Sequence, residues 1–333
     1  MVVRRSCLLL FVAILTLTFP STLVAQAQEP AAARPFDSSA PQPTEYTGIT
    51  ITKRVDEVNV VFTVTDSRGR FVSNLPQSSF QVLDNHHAPQ TVEYFVQQTE
   101  LPLRVALLID LSGSIRGRFE FEQQAASTFL KKTLRPGKDE AFVMGFDSHV
   151  HLIQDTTGDV SKLSSAIHHM NSGGNTALYD AVIRASNKLR ATNGGGITRK
   201  AIILISDGMD TASKSILNDA VQAAERAETI VYVLSTNTLL ESKHPEGDEI
   251  MKQIAEPTGG HILPAREKDE LKHGFAEIEK ALRSQYAMGY HPTDFRSDGS
   301  FRSIEIIPDK LALRVQCRRG YFAPRELVAH YFY

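Results

Sequence analysis

Residues 104–114 read Arg-Val-Ala-Leu-Leu-Ile-Asp-Leu-Ser-Gly-Ser. The unbroken apolar run over 105–109 is the pattern of a strand covered on both faces, as in a parallel sheet. It stops at Asp110, and Ser112 and Ser114 follow at alternate positions. One carboxylate and two hydroxyls thus gather at the carboxyl end of a buried strand, the rim where open α/β sheets hold ligands. Oxygen donors alone suit a hard cation such as Mg²⁺.

Downstream of this turn, strands alternate with helices, which predicts a mostly parallel, doubly wound sheet with helices on both faces. Strand patterns fall at 141–146, 201–205 and 230–234, with a hairpin arm at 150–153. Helical spacing covers 119–134, 177–189, 216–227, 249–255 and 267–283, with Pro136-Gly137 and Pro257 as stops. Two further stretches place oxygens at loop mouths. Gly173-Gly174-Asn175-Thr176 puts a hydroxyl before a helix, and Ser206-Asp207-Gly208 puts a carboxylate after a buried strand. Strand ends of a parallel sheet lie on one rim, so Asp110, Ser112, Ser114, Thr176 and Asp207 form a candidate metal set. Each has a plainer reading when taken alone. Asp110 and Ser112 could cap the turn into the following helix, and Asp207 could shape the turn before Gly208.

The flanks read differently. Before the α/β region, β-branched or aromatic runs at 58–65, 80–83 and 91–95 are separated by turns at Asp66-Ser67-Arg68-Gly69 and Asp84-Asn85. After it, runs at 286–291, 301–307 and 311–317 repeat the pattern. Neither flank supplies enough strands to bury much alone. Together they predict one small antiparallel β-sandwich, with the α/β domain inserted between its halves.

At the amino end, Arg4 and Arg5 precede an apolar run over 7–19, and Ala25-Gln26-Ala27 follows. This is the pattern of a cleaved export signal, with an uncleaved membrane anchor as the alternative, and the run falls short of the roughly 20 residues that cross a bilayer. Residues 28–47, rich in Pro, Ala and Gln, read as a tether. The expected organisation is therefore a signal at 1–27, a linker at 28–47, sandwich at 48–100 and 284–324, the α/β domain at 101–283, and a tail at 325–333. The mature chain is expected in the periplasm or outside the cell, with no membrane span. Of two cysteines, Cys7 would leave with the signal, so Cys317 has no disulfide partner within the chain. Its alternating surroundings suggest a small buried hydrophobe. A net charge of −2 across 333 residues offers no basic field for nucleic acid.

The five oxygen ligands and the strand–helix order resemble the metal-ion-dependent adhesion site of von Willebrand factor type A (VWA) domains, also found as the inserted domain of integrins. Asp110, Ser112 and Ser114 match the first loop of that motif, Thr176 the second and Asp207 the third. The segment from Phe80-Gln81-Val82-Leu83-Asp84 to Leu101-Pro102-Leu103-Arg104 resembles a bacterial group of secreted proteins, common in acidobacteria, that carry such a domain. So does the segment from Tyr286-Ala287-Met288-Gly289-Tyr290 to Arg319-Gly320-Tyr321-Phe322-Ala323-Pro324. The resemblance implies an Mg²⁺-type ion, with Mn²⁺ or Ca²⁺ as alternatives, whose open position accepts an Asp or Glu carboxylate of a protein partner. It also implies movement of the last helix of the domain, 267–283, between affinity states.

Other chemistries fit less well. A phosphatase built on Asp110 would want an acid two positions on, whereas Ser112 stands there. Gly-x-Ser-x-Gly is absent, which removes the usual serine-hydrolase turn. A binding module is expected rather than an enzyme, with a metal-dependent hydrolase or an envelope scaffold as alternatives. His149 and His151 would share a strand face but lack a third ligand for zinc. His86-His87 and His168-His169 read as surface pairs, Asp210 as a solvated turn acid with an outer-sphere acid as the alternative, and Gly194-Gly195-Gly196 as a loop without a phosphate-binding lysine.

Overall fold

The computed structural model describes residues 57–97, 101–113, 118–191, 198–237 and 246–325. The expected signal at 1–27, the tether at 28–47, Ser114, the Gly194-Gly195-Gly196 loop and the tail beyond 325 lie outside the described residues.

A six-stranded sheet has the order β6-β5-β4-β7-β8-β9. Its strands are β4 (Leu103–Asp110), β5 (Glu140–Phe146), β6 (Val150–Thr157), β7 (Arg199–Ser206), β8 (Ile230–Ser235) and β9 (Ile262–Pro264). Only β6 runs antiparallel, as the return arm of a hairpin from β5; every other pairing is parallel. The continuous apolar run of β4 serves two cores through the period-2 alternation of a strand. Val105, Leu107 and Ile109 pack with α1 (Phe119–Thr133), α2 (Val160–His168) and α6 (Lys268–Arg283), while Ala106 and Leu108 pack with α3 (Leu178–Ala191), α4 (Leu217–Arg226) and α5 (Glu246–Ala255). The expected doubly wound α/β sheet is the observed one.

Chain order reverses direction at β4. From it the chain moves outward to β5 and β6, then returns past it to β7 on the other side. The carboxyl ends of β4 and β7 therefore flank a topological switch point, the place in such sheets where connecting loops part to leave a crevice.

The flanks form two antiparallel sheets. One has the order β12-β1-β10-β3, from Arg314–Cys317, Val58–Thr65, Gln285–His291 and Thr91–Gln97; the other has β13-β11-β2, from Gly320–Phe322, Phe301–Pro308 and Phe80–Asp84. Each mixes strands from before and after the α/β layer. Val60, Phe62, Val82, Tyr286, Tyr290 and Ile306 from the two sheets share one core.

Several local readings need correction. The helix α2 was not expected between the hairpin and Gly173. It is short, and only Leu163 and Ile167 are buried along it, too few to stand out as a period. The three-residue strands β9 and β13 are also beyond what alternation can reveal. The last long strand starts at Arg314 rather than 311, because Leu311 sits fully exposed in the preceding turn. Cys317 packs at the margin of the sandwich core, where burial pushes its thiol up to about 11. His86 and His87 are exposed at the β2–β3 turn, as expected of a surface pair, with His86 in a left-handed backbone. Among the described residues no helix is long and apolar enough to cross a membrane.

Candidate functional site

Three loops leave the rim at the switch point. The first follows β4, the second precedes α3, and the third follows β7. Hydrogen bonds tie each to the next. Gly173 N donates to Leu111 O, and Gly113 N to Gly174 O, joining the first loop to the second. Thr211 N and Ala212 N both donate to Thr176 O, while Thr176 N donates to Thr211 Oγ1, joining the second to the third.

Asp110 ends β4 and is 1% exposed. Its Oδ1 accepts from Ser112 N at 2.8 Å, an Asx-type contact that shapes the loop as the plainer reading expects. Its Oδ2 accepts from Ser206 Oγ at 2.8 Å, across the β4–β7 boundary. The same Ser206 Oγ accepts from Gly208 N. Ser206 thus couples the first acid to the loop that carries the second, Asp207, whose Oδ1 accepts from Met209 N at 3.2 Å. Ser112 and Thr176 are buried, and Asp207 is half-buried. Asp110, Ser112 and Asp207 therefore stand on adjacent strand ends, Thr176 is bound through its backbone to the third loop, and Ser114 lies outside the described residues.

The electrostatics show a strained charge. Burial first, and the nearby Asp207 charge next among the opposing effects, raise Asp110 to about 6 despite its hydrogen bonds to Ser112 and Ser206. Burial also raises Glu122, on α1, to about 8, with Asp110 and Asp207 adding repulsion and Arg118 only partly opposing it. Glu122 Oε1 lies 3.1 Å from Arg118 Nε, yet neither of its oxygens has a hydrogen-bond partner among the described residues. Asp110 and Asp207 repel one another and both act on Glu122, which the Arg118 guanidinium only partly offsets; a divalent cation would relieve the repulsion between Asp110 and Asp207. The donor set of carboxylates and hydroxyls fits a hard ion by its chemistry. Among the described residues no three Asp, Glu, His or Cys side chains gather into a metal-binding cluster.

Sequence reasoning leaves two contributors unassigned and misreads a third. Ser206 was quoted only as a neighbour of Asp207. Glu122 carried a usable signal, an acid on the inward face of an amphipathic helix. Asp210 is not a solvated turn acid: it is half-buried, and its Oδ1 accepts from Tyr179 N and from Ser213 Oγ, fixing the third loop to the start of α3. His149 and His151 sit on an exposed hairpin, with His151 Nε2 3.0 Å from Asp147 Oδ1.

Gly208 is required by two independent constraints. Its φ of +85° lies in the left-handed region, and an added Cβ would stand 2.2 Å from Gly247 O, at the first turn of α5. Gly208→Ala is expected to cost about 2–4 kcal/mol in urea unfolding, combining backbone strain with overpacking. Wild-type stability in that variant would mean that α5 yields freely.

In comparisons with solved structures, the PilB minor pilin of Streptococcus sanguinis aligns at 13% identity and a TM-score of 0.45, covering 56% of this chain and 62% of the pilin. The chain thus spans less than two thirds of that protein's length. The vWF domain of the type V pili tip protein Mfa5 from Porphyromonas gingivalis aligns at 14% identity and TM-score 0.45, covering 54% of this chain and 94% of that one. The pilus adhesin SpaC of Lactobacillus rhamnosus GG aligns at 12% identity and TM-score 0.45, covering 76% and 48%. No curated protein matches the chain in sequence. Residues 105–209, from β4 through the third loop, match the family model of the von Willebrand factor type A domain.

Proposed function

We propose that this chain is an exported, divalent-cation-dependent protein-binding module, with its VWA domain mounted on the β-sandwich. The observation that carries this reading is the setting of Asp110: a carboxylate 1% exposed, at the switch point of a parallel sheet, repelled by a second acid on the neighbouring strand end. Such a charge is costly without a counter-ion. Asp110, Ser112, Ser114, Thr176 and Asp207 would hold the ion, Mg²⁺ first and Mn²⁺ or Ca²⁺ as alternatives.

When bound, the ion supplies an electrophilic position for an anionic oxygen, here an Asp or Glu carboxylate of a protein partner. The chain's own residues prepare that position. Ser206 and the Ser112 amide hold the Asp110 carboxylate in one orientation, and the inter-loop hydrogen bonds set the spacing of the three loops. With only two carboxylates among the direct ligands and neutral hydroxyls for the rest, the ion would keep an electron-poor open position for an external carboxylate.

Titration of Mg²⁺ into the purified chain is expected to give a saturable rise in melting temperature, about 2.7 kcal/mol of stabilisation at 100 times Kd. Capture of a partner from envelope extracts is expected to fail in chelator. Absence of any thermal response to Mg²⁺ or Mn²⁺ would instead favour a scaffold. Phosphatase or esterase turnover that disappears in Asp110→Ala would replace binding with catalysis.

A further inference from the structure

At the opposite end of the parallel sheet, where β4, β7 and β8 begin, a cavity of about 460 Å³ separates the sheet from β1 and β10 of the sandwich. Three cationic side chains line it: Arg199 (6% exposed), Lys200 (8%) and Arg318 (6%). Of the two acids on the same wall, the buried Glu225 keeps one oxygen, Oε2, without a hydrogen-bond partner among the described residues. Glu225 Oε1 accepts from Arg319 Nε at 2.5 Å, and Glu228, whose side chain is 51% exposed, pairs with Arg318 at 3.0 Å.

The direct hydrogen-bond acceptors of Arg199 and Lys200 are neutral, while Asp139 attracts Arg199 and Glu228 attracts Lys200 from beyond contact. The Arg199 guanidinium donates to Leu282 O, to Gln285 Oε1 at 3.3 Å and to Leu101 O at 3.2 Å. Lys200 Nζ, with three protons to give, donates to Ala227 O at 3.2 Å. Among the described residues neither has a carboxylate within ion-pair distance, and Arg199 Nε and Arg318 Nε are buried without any hydrogen-bond partner. Burial first, then the neighbouring Arg135, hold Arg199 down to about 10 against the pull of Asp139; burial also lowers Lys200, with Glu228 opposing it and Arg318 adding to it. Buried cations satisfied only by carbonyls are the converse of the Asp110 rim: here the missing charge is negative.

We propose that this seam binds a small oxyanion of the phosphate or sulfate type, free or as the head of a small ester, with Lys200 as its principal charge contact. Thr229 and Thr258 are on the cavity wall, but their hydroxyl protons go to Ala227 O and Ala255 O. The donors left for the oxyanion are the remaining Lys200 Nζ protons and the unpartnered Arg199 Nε and Arg318 Nε. The site is distinct from the Asp110 rim and does not depend on any cation there.

Calorimetric titration of the purified chain with inorganic phosphate, at fixed ionic strength so that general screening is constant, tests the assignment. One saturable site is expected. Lys200→Met should weaken binding at least about tenfold, a change of about 1.4 kcal/mol. Glu228→Gln should tighten it several-fold, and Asp110→Asn should leave it unchanged. Heats that never saturate by roughly 10 mM, where a millimolar Kd would be evident, or Lys200→Met binding as wild type, would overturn the proposal. Should Lys200→Met fail to fold, Glu228→Gln reads the same site from the other direction, and unchanged affinity there would overturn it. A parallel titration with glycerol 3-phosphate distinguishes the sources: tighter binding assigns the ester, equal or weaker binding the free anion.

Discussion

Asp84→Ala is expected to lower the stability of the chain by about 3–5 kcal/mol, a large share of the roughly 5–15 kcal/mol that holds a typical domain folded. Asp84 is 1% exposed at the end of β2. Its Oδ1 accepts from Arg302 Nε at 2.7 Å on β11, and its Oδ2 accepts from Tyr290 Oη at 2.8 Å on β10 and Tyr321 Oη at 2.9 Å on β13. One carboxylate from the first flank therefore joins three strands of the second, across both sheets. Removing it leaves Arg302, 4% exposed, with only the half-exposed Asp294 as counter-charge, and leaves two buried phenols without their acceptor. Burial and the Asp84 charge already hold both phenols well above the ordinary tyrosine range.

Urea unfolding followed by far-ultraviolet circular dichroism reads this loss, since the chain has no tryptophan. Asp84→Asn should cost less, because the amide keeps one acceptor for the tyrosines. Hydrogen exchange should localise the effect to β2, β10, β11 and β13. A loss below about 1 kcal/mol would mean that water enters and replaces the carboxylate.

That network was invisible in the sequence for a definable reason. Asp84 and Asn85 read as a turn, which they are, but the partners of Asp84 lie 206, 218 and 237 residues away. Local pattern carries no information about such pairings. The α/β layer was legible because its signal is local: runs such as 105–109 and 201–205 are apolar throughout, and a strand buried on both faces leaves no other pattern. The two flanks were legible only jointly, through the insufficiency of each. At the rim, strand-end logic led to Asp110 and Asp207 but not to Ser206, whose role depends on β4 and β7 being neighbours, nor to Glu122, whose inward face depends on where α1 lies over the sheet. Helix α2 was lost because a nine-residue helix with two buried apolar side chains is hard to tell from a loop.

The charge at the rim makes the second large effect one of opposite sign in two solutions. In chelator near pH 7.5, Asp110→Asn is expected to be more stable than the wild type. Burial raises the Asp110 carboxyl from the ordinary 3.8 to about 6 in the folded chain. The folded state therefore holds a proton more tightly than the unfolded one, and this group lowers stability as pH rises from about 4 through about 6. Above that window the penalty is fully present, on the order of 2–3 kcal/mol. The isosteric amide removes the charge while its oxygen still accepts from Ser112 N. A rise of roughly 5–8 °C in melting temperature follows for a unit of this size.

Glu122, raised to about 8 by burial, acts in the same direction over a higher window. Metal-free wild type should thus gain stability from these two groups as pH falls from about 8 toward about 4. With Mg²⁺ in excess the order is expected to reverse, because the wild type gains the binding energy while Asp110→Asn does not. The crossover separates a cation site from a turn cap. If Asp110 merely braced the loop through Ser112 and Ser206, Asp110→Asn would be less stable in both solutions, and Mg²⁺ would shift neither melting curve.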